Sequence, residues 1–139
     1  MTRIMTTAQV AELLIDHMSA HDLAEPASVQ LTLSRFERHK ARVQVHGIVL
    51  VDTARLLLAW MDTLSGTTLS LWRPSSGTHV HMNVDTTLSG PAGEITLALF
   101  GAASSDEAVF ADLDLGQRRP FTLEQLTEWA AADGAEVAA

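Results

Sequence analysis

The chain contains no cysteine and no tyrosine, a single lysine, and few aromatic residues, which make up 5% of its 139 residues. The absence of cysteine excludes a disulfide-stapled fold, a thiolate metal site and catalysis by a thiol. The longest apolar runs are much shorter than the roughly 20 residues that a membrane-spanning helix needs. No amino-terminal stretch combines a basic start, an apolar run and a small-residue cleavage site, so we expect a cytoplasmic protein.

Apolar residues are nevertheless numerous enough to build one core. Hydrophobic residues make up 47% of the chain and charged residues 19%. A chain of this length corresponds to one ordinary domain. We therefore expect a single domain over residues 1–139, with a frayed tail at residues 135–139.

The formal net charge of −8 is distributed unevenly. Residues 1–50 are neutral, residues 51–105 carry −2 and residues 106–139 carry −6. The neutral part contains a basic cluster at residues 35–42, with Arg35, Arg38, Lys40 and Arg42. The acidic total disfavours nucleic acid as a partner, although this cluster weakens the exclusion.

Three segments carry apolar residues at helical spacing, each behind a start signal. Thr6 and Thr122 stand three residues before Gln9 and Gln125, which is the spacing of a capping box. The middle segment is predicted to begin with Asp52 as its N-cap. These signals predict three helices.

Between the helices the apolar residues recur at every second position, which predicts strands. Five strands are expected near residues 28–34, 42–46, 68–72, 79–85 and 94–100, with a weaker sixth near 109–113. The element order αββαβββ(β)α predicts an α+β fold: an antiparallel sheet of five or six strands with two or three helices on one face. The helix–hairpin unit at residues 8–47 is echoed at residues 53–84, which suggests a duplicated αββ unit.

If helices cover the apolar face of this sheet, the other face is open and mostly polar. We expect binding there, with Trp72 and Phe100 as anchors and polar side chains around them. The candidate residues are Arg42, Gln44, His46, Trp72, His79, His81, Asn83 and Phe100. The alternatives are that this face is merely solvated or that it pairs with a second copy of the chain.

A metal site is the first alternative function. His79 and His81 lie two residues apart on a predicted strand and therefore point to one face, with Asp85 following and His46 as a further candidate ligand. The segment from Gly77 to Asp85 resembles the first metal motif of the cupins, a resemblance that implies a divalent metal. Asp85 stands where that motif has a glutamate, and no second cupin motif follows.

Nucleic-acid binding through the basic cluster is the second alternative. Arg35, Arg38, Lys40 and Arg42 would contact phosphates, and Phe36 and Trp72 would stack on bases. No recognisable nucleic-acid-binding motif surrounds the cluster. A charged hairpin tip explains it equally well.

The chain as a whole resembles small uncharacterised proteins of Streptomyces-type actinobacteria. The resemblance rests on its Ala- and Arg-rich composition and on two phrases, residues 57–64 and 120–126. The resemblance implies that the protein comes from such a bacterium, and it implies no particular activity. Because no serine lies in a nucleophile elbow and no glycine-rich phosphate loop is present, we predict no catalytic residue and no cofactor. The leading prediction is a non-catalytic binding module, either a homodimer or the partner of another protein.

Overall fold

The computed structural model describes residues 4–75 and 77–132, so the predicted tail at residues 135–139 lies outside the described residues. The described residues form three α-helices, one six-stranded sheet and a short 3-10 helix at Ala108–Phe110. The helices are α1 (Thr7–Ala20), α2 (Leu50–Met61) and α3 (Leu123–Ala131). The strands are β1 (Ser28–Thr32), β2 (Lys40–Gln44), β3 (Thr68–Trp72), β4 (His79–Gly90), β5 (Gly93–Ser104) and β6 (Arg118–Pro120). This is the α+β class that the sequence predicts.

The sheet is mixed and not purely antiparallel. Its strand order is β1-β2-β5-β4-β3-β6, and each neighbouring pair is antiparallel except β2 with β5. The prediction of an antiparallel sheet is therefore wrong for that one pair. Parallel neighbours need a crossover connection, and α2 supplies it, since the chain passes from β2 through α2 before the β4–β5 hairpin returns beside β2.

The sixth strand does not form where the sequence predicts it. Residues near 109–113 contain the 3-10 helix, and β6 lies later, at Arg118–Pro120, beside β3. The buried residues of the segment, Phe110 and Leu113, are three apart, which suits a 3-10 turn better than the alternation of a strand. The Phe110 ring packs edge-on against Trp129 of α3, with 5.9 Å between the ring centroids.

Two of the three predicted helix starts are confirmed. At Thr6 and Thr122 the hydroxyl accepts a bond from the backbone three residues later, and the glutamine side chain there accepts one in return. The predicted N-cap at Asp52 is wrong, because α2 begins at Leu50, after Val49, which makes no side-chain capping bond. Leu50 is buried in the core, so tertiary packing sets this start. Asp52 lies in the first turn, where a carboxylate suits the helix dipole.

One face of the sheet is buried and the other is accessible. Along β4, alternate residues from Val80 to Leu88 are buried, and the residues between them are partly or fully exposed. The same alternation continues along β5. The buried face packs against the helices, so the opposite face is left uncovered within the described part of the chain.

Thr53, in the first turn of α2, docks that helix on the sheet. Its side chain is fully buried, and its hydroxyl donates a 2.7 Å hydrogen bond to the carbonyl oxygen of Ala102 on β5. A Cβ at Gly47 would lie 2.7 Å from the Thr53 hydroxyl oxygen, and one at Gly101 would collide with the Thr53 methyl group. The two glycines therefore allow α2 to approach the sheet closely.

His39 holds the loop between β1 and β2. Its ring is buried, with Nδ1 accepting a 3.0 Å bond from the backbone N–H of Ser34 and Nε2 lying 2.9 Å from the carbonyl oxygen of Met5. Because Nδ1 is an acceptor, Nε2 carries the hydrogen and donates to Met5. The imidazole therefore ties this loop to the segment before α1.

Candidate interaction surface

The face of the sheet opposite to the helices, here called the open face, gathers most of the predicted binding residues. Strand register places Gln44, Phe100 and Asn83 side by side across β2, β5 and β4. Trp72 and His81 lie directly opposite each other on β3 and β4. The predicted residues found on the open face are Arg42, Gln44, Trp72, His79, His81, Asn83 and Phe100.

Five side chains form a continuous row across this face, here called the Arg–aromatic row. In spatial order the row consists of Arg118, Trp72, His81, Phe100 and Arg42, from β6, β3, β4, β5 and β2. The Trp72 and His81 ring centroids lie 5.4 Å apart. The His81 and Phe100 rings stack with 5.9 Å between centroids and 8° between planes. Diagonal neighbours on adjacent strands are within reach of such large side chains.

Each end of the Arg–aromatic row is a guanidinium group held over a ring. The Cζ atom of Arg42 lies 4.5 Å from the centroid of Phe100, and that of Arg118 lies 4.7 Å from the Trp72 ring. Attraction to the π-face and stacking hold a guanidinium in such a position. Both arginines are exposed, so their N–H donors can reach an acceptor outside the chain.

His81 occupies the centre of the row. Burial lowers the pKa of His81, and the nearby charges of Arg42 and His79 lower it further. Its Nδ1 is buried and has no hydrogen-bond partner among the described residues. An unpaired buried polar atom of this kind costs about 1–3 kcal/mol.

The charge of the open face differs in sign from that of the whole chain. On this face the strands present three cations and two carboxylates, a net charge of +1, whereas the chain carries a net charge of −8. These residues are Lys40, Arg42, Arg118, Asp85 and Glu94. An anionic partner therefore meets less repulsion at the open face than the net charge of the whole chain implies.

The residues considered as metal ligands do not converge. His79 and His81 share the open face, but Asp85 lies four residues beyond His81 on β4, roughly 13 Å away at about 3.3 Å per residue. His46 follows β2 and lines, with His21, a cavity of about 550 Å³ next to α2. Within residues 4–75 and 77–132 no group of three His, Asp or Glu side chains is arranged to hold a metal ion.

The basic cluster at residues 35–42 is divided between strand β2 and the loop before it. Lys40 and Arg42 are on β2 and belong to the open face, whereas Arg35 and Arg38 lie in the preceding loop. Arg38 forms an ion pair with Glu94, with 2.7 Å between Nη2 and Oε1. Glu94 therefore offsets one of the four cations of the cluster.

Arg118 is not among the residues predicted from the sequence, and two of the predicted residues, Phe36 and His46, lie outside the Arg–aromatic row. β6 has three residues, too few to show an alternating pattern, so nothing in the sequence puts Arg118 beside Trp72. Phe36, considered with Trp72 as a stacking ring, lies in the loop before β2, is 95% exposed and is not part of the row. His46 lies beyond the end of β2 and also stays outside the row.

His17 on α1 has a structural role. His17 Nε2 lies 2.8 Å from the hydroxyl oxygen of Thr63, and the ring stacks on Trp60 with 5.9 Å between centroids. Burial lowers the pKa of His17, and His21, one turn later, lowers it further. These contacts tie α1 to the end of α2.

None of the helices in the described segments is both long and apolar enough to cross a membrane. Comparison with protein-family models, with curated proteins and with solved structures found no match. Function is therefore inferred from the geometry and charge of the open face.

Proposed function

We propose that the protein is a non-catalytic binding module whose open face recognises an acidic segment of another protein. The observation that carries this proposal is the Arg–aromatic row, in which three rings in contact are flanked by two guanidinium groups. Trp and Arg are the residue types most enriched among those that dominate binding energy at interfaces.

The charge distribution supports an acidic partner. The open face has a net positive charge, whereas the whole chain has a net charge of −8. This difference steers an anionic segment to the open face and away from the rest of the surface. The backbones of Arg42 and Arg118 are separated by four strand spacings of about 4.8 Å, roughly 19 Å in total. An extended peptide of about six residues spans that distance.

The ring faces that arginines already cover favour a peptide over single-stranded nucleic acid as the partner. Bases bind such surfaces by stacking on accessible ring faces. Here one face of Phe100 and one face of Trp72 are already covered by guanidinium groups, and His81 lies between the two rings. A base would have to displace an arginine, whereas a carboxylate binds the arginine where it already lies.

The proposal includes a cytoplasmic location and no cofactor, as the sequence predicts. The Ala- and Arg-rich composition supports a source among actinobacteria. The metal alternative receives no support, because no three His, Asp or Glu side chains within residues 4–75 and 77–132 are arranged to hold one ion.

Substitution of Phe100 tests the proposal, with Phe36 as the matched control. The probe is a fluorescein-labelled peptide with two glutamate clusters separated by leucine and phenylalanine, here called the acidic probe, and its binding is followed by fluorescence anisotropy. Phe100→Ala removes the ring under Arg42 and is expected to raise the Kd about tenfold, the equivalent of 1.4 kcal/mol. Phe36→Ala is expected to leave the Kd unchanged, although Phe36 is 95% exposed.

Two competitors complete this experiment. A lysine-rich peptide of the same length should not displace the acidic probe, and an oligothymidylate of equal charge should displace it only weakly. Equal Kd values for the two variants would contradict the proposal. Tighter binding of the oligothymidylate than of the acidic probe would also contradict it and would assign the open face to nucleic acid.

A further inference from the structure

The outer edge of β1 is a second surface, separate from the open face. β1 is an edge strand, and in the part of the chain that the structure describes no strand pairs with its outer side. An unpaired edge presents backbone N–H and C=O groups to which another strand can bind. Natural sheets usually protect such edges with charge, proline or short length.

The two edges of this sheet differ in that protection. β6, at Arg118–Pro120, is short and carries two arginines and a proline. The stretch from Ser28 to Ser34 at the β1 edge has no charged residue, no proline and no glycine. Val29 and Leu33 in this stretch are 43% and 40% exposed. The sheet is thus closed to strand addition at β6 and open to it at β1.

An apolar groove lies beside the β1 edge and adds to this surface. The groove has a volume of about 400 Å³ and runs between α1 and β1. Its apolar lining includes Leu14, Ile15, Met18, Leu23, Val29 and Leu31. Ile15 is 59% exposed, so a partner strand that fills the groove would remove a large apolar side chain from water.

Charge complementarity points to a second copy of the chain as the partner. The segment before β1 is acidic, with Asp22 and Glu25, and the loop after it carries the exposed cation Arg35, while Arg38 of that loop is already paired with Glu94. When two β1 strands pair antiparallel, the acidic end of each copy lies beside the basic end of the other. Because the paired strands themselves are uncharged, the net charge of −8 on each chain adds little repulsion between the two β1 strands.

The side-chain pattern of β1 is also compatible with pairing to itself. An antiparallel pairing centred on Gln30 places Val29 opposite Leu31 of the partner subunit, both on the groove side of the sheet. It also places the two Gln30 amides opposite each other, where each can donate and accept a hydrogen bond. A shift by one residue would place apolar side chains on the polar face.

We infer that two copies of this protein associate through antiparallel β1 strands to form one continuous sheet. This association does not rest on the proposed function, and it leaves both open faces accessible on the same side of the joint sheet. It differs from the dimer considered from the sequence, which would have used the open face itself.

Sedimentation equilibrium of the full chain tests this inference. The wild type is expected to have twice the 15.0 kDa mass of one chain at micromolar concentration. Val29→Lys places a charge in the groove and is expected to give a monomer. Val109→Lys is the matched control, because Val109 is 39% exposed and lies outside β1, and this variant should remain a dimer. Circular dichroism spectra establish that each variant is folded.

Charge exchange distinguishes a second copy from any other partner. Glu25→Arg and Arg35→Glu should each raise the dimer Kd about tenfold at low salt, since each creates two like-charge contacts. Both substitutions in one chain should restore the Kd to within about twofold, because opposite charges face each other again. A monomeric wild type, a Val29→Lys variant that stays dimeric, or a combined variant as weak as the single ones would overturn the inference.

Discussion

Replacement of Gly101 by valine is expected to destabilise the protein by about 3 kcal/mol, a loss typical of severe overpacking. The added atoms would collide with the methyl group of Thr53 and would also crowd the Val45 side chain. Neither neighbour can move freely, because Thr53 is buried and hydrogen-bonded to β5 and Val45 is buried in the core. Thermal unfolding followed by circular dichroism should show a midpoint lowered by roughly 10 °C.

Ala98→Val is the matched control for this substitution. Ala98 lies on the same strand as Gly101, but its side chain is partly exposed on the open face. Its replacement should change the free energy of unfolding by less than about 0.5 kcal/mol. In a Gly101→Ala background, Thr53→Ser should recover part of the lost stability, since it removes the colliding methyl group. A Gly101→Val protein that unfolds at the wild-type temperature would show that α2 does not approach β5 as closely as described.

Reversal of both charges in the Arg–aromatic row is expected to abolish binding of the acidic probe. Arg42→Glu combined with Arg118→Glu replaces two attractive contacts by two repulsive ones at the ends of the row. Like charges opposed at an interface cost several kcal/mol, so the Kd measured by fluorescence anisotropy should rise at least about hundredfold. The double variant should also begin to bind the lysine-rich peptide.

The control for this reversal changes the net charge by the same amount outside the row. Arg35→Glu combined with Arg55→Glu reverses two exposed arginines, one in the loop before β2 and one on α2, neither of which belongs to the row. We expect this variant to bind the acidic probe within about threefold of the wild-type Kd, because exposed charges at a distance are screened by salt. Equal losses in the two double variants would show that total charge, and not the row, governs binding.

The open face could be predicted from the sequence because its signal is local. Trp72, His81 and Phe100 each follow the alternation of a strand whose other side is apolar, and that alternation decides the face without knowledge of strand order. The capping boxes at Thr6 and Thr122 were predictable for the same reason, since all their partners lie within three residues.

The Arg–aromatic row could not be predicted, because it depends on contacts between distant segments. Arg42 reaches Phe100 only because β2 pairs with β5 in parallel, across the whole of α2, β3 and β4. Arg118 reaches Trp72 only because the short β6 joins the sheet beside β3. The predicted start of α2 at Asp52 is wrong for a related reason. Burial of Leu50 in the core outweighs the local capping preference of Asp52.

The tryptophan indole N–H resonances of the ¹⁵N-labelled protein, titrated with the acidic probe, test the use of the open face most directly. Trp72 is on the open face, whereas Trp60 and Trp129 are buried on the helix side. The Trp72 indole resonance and the Phe100 backbone amide are expected to shift together to saturation, while the Trp60 and Trp129 indole resonances stay unchanged. An unchanged Trp72 indole at saturating probe, or shifts confined to α1 and β1, would contradict this use of the open face.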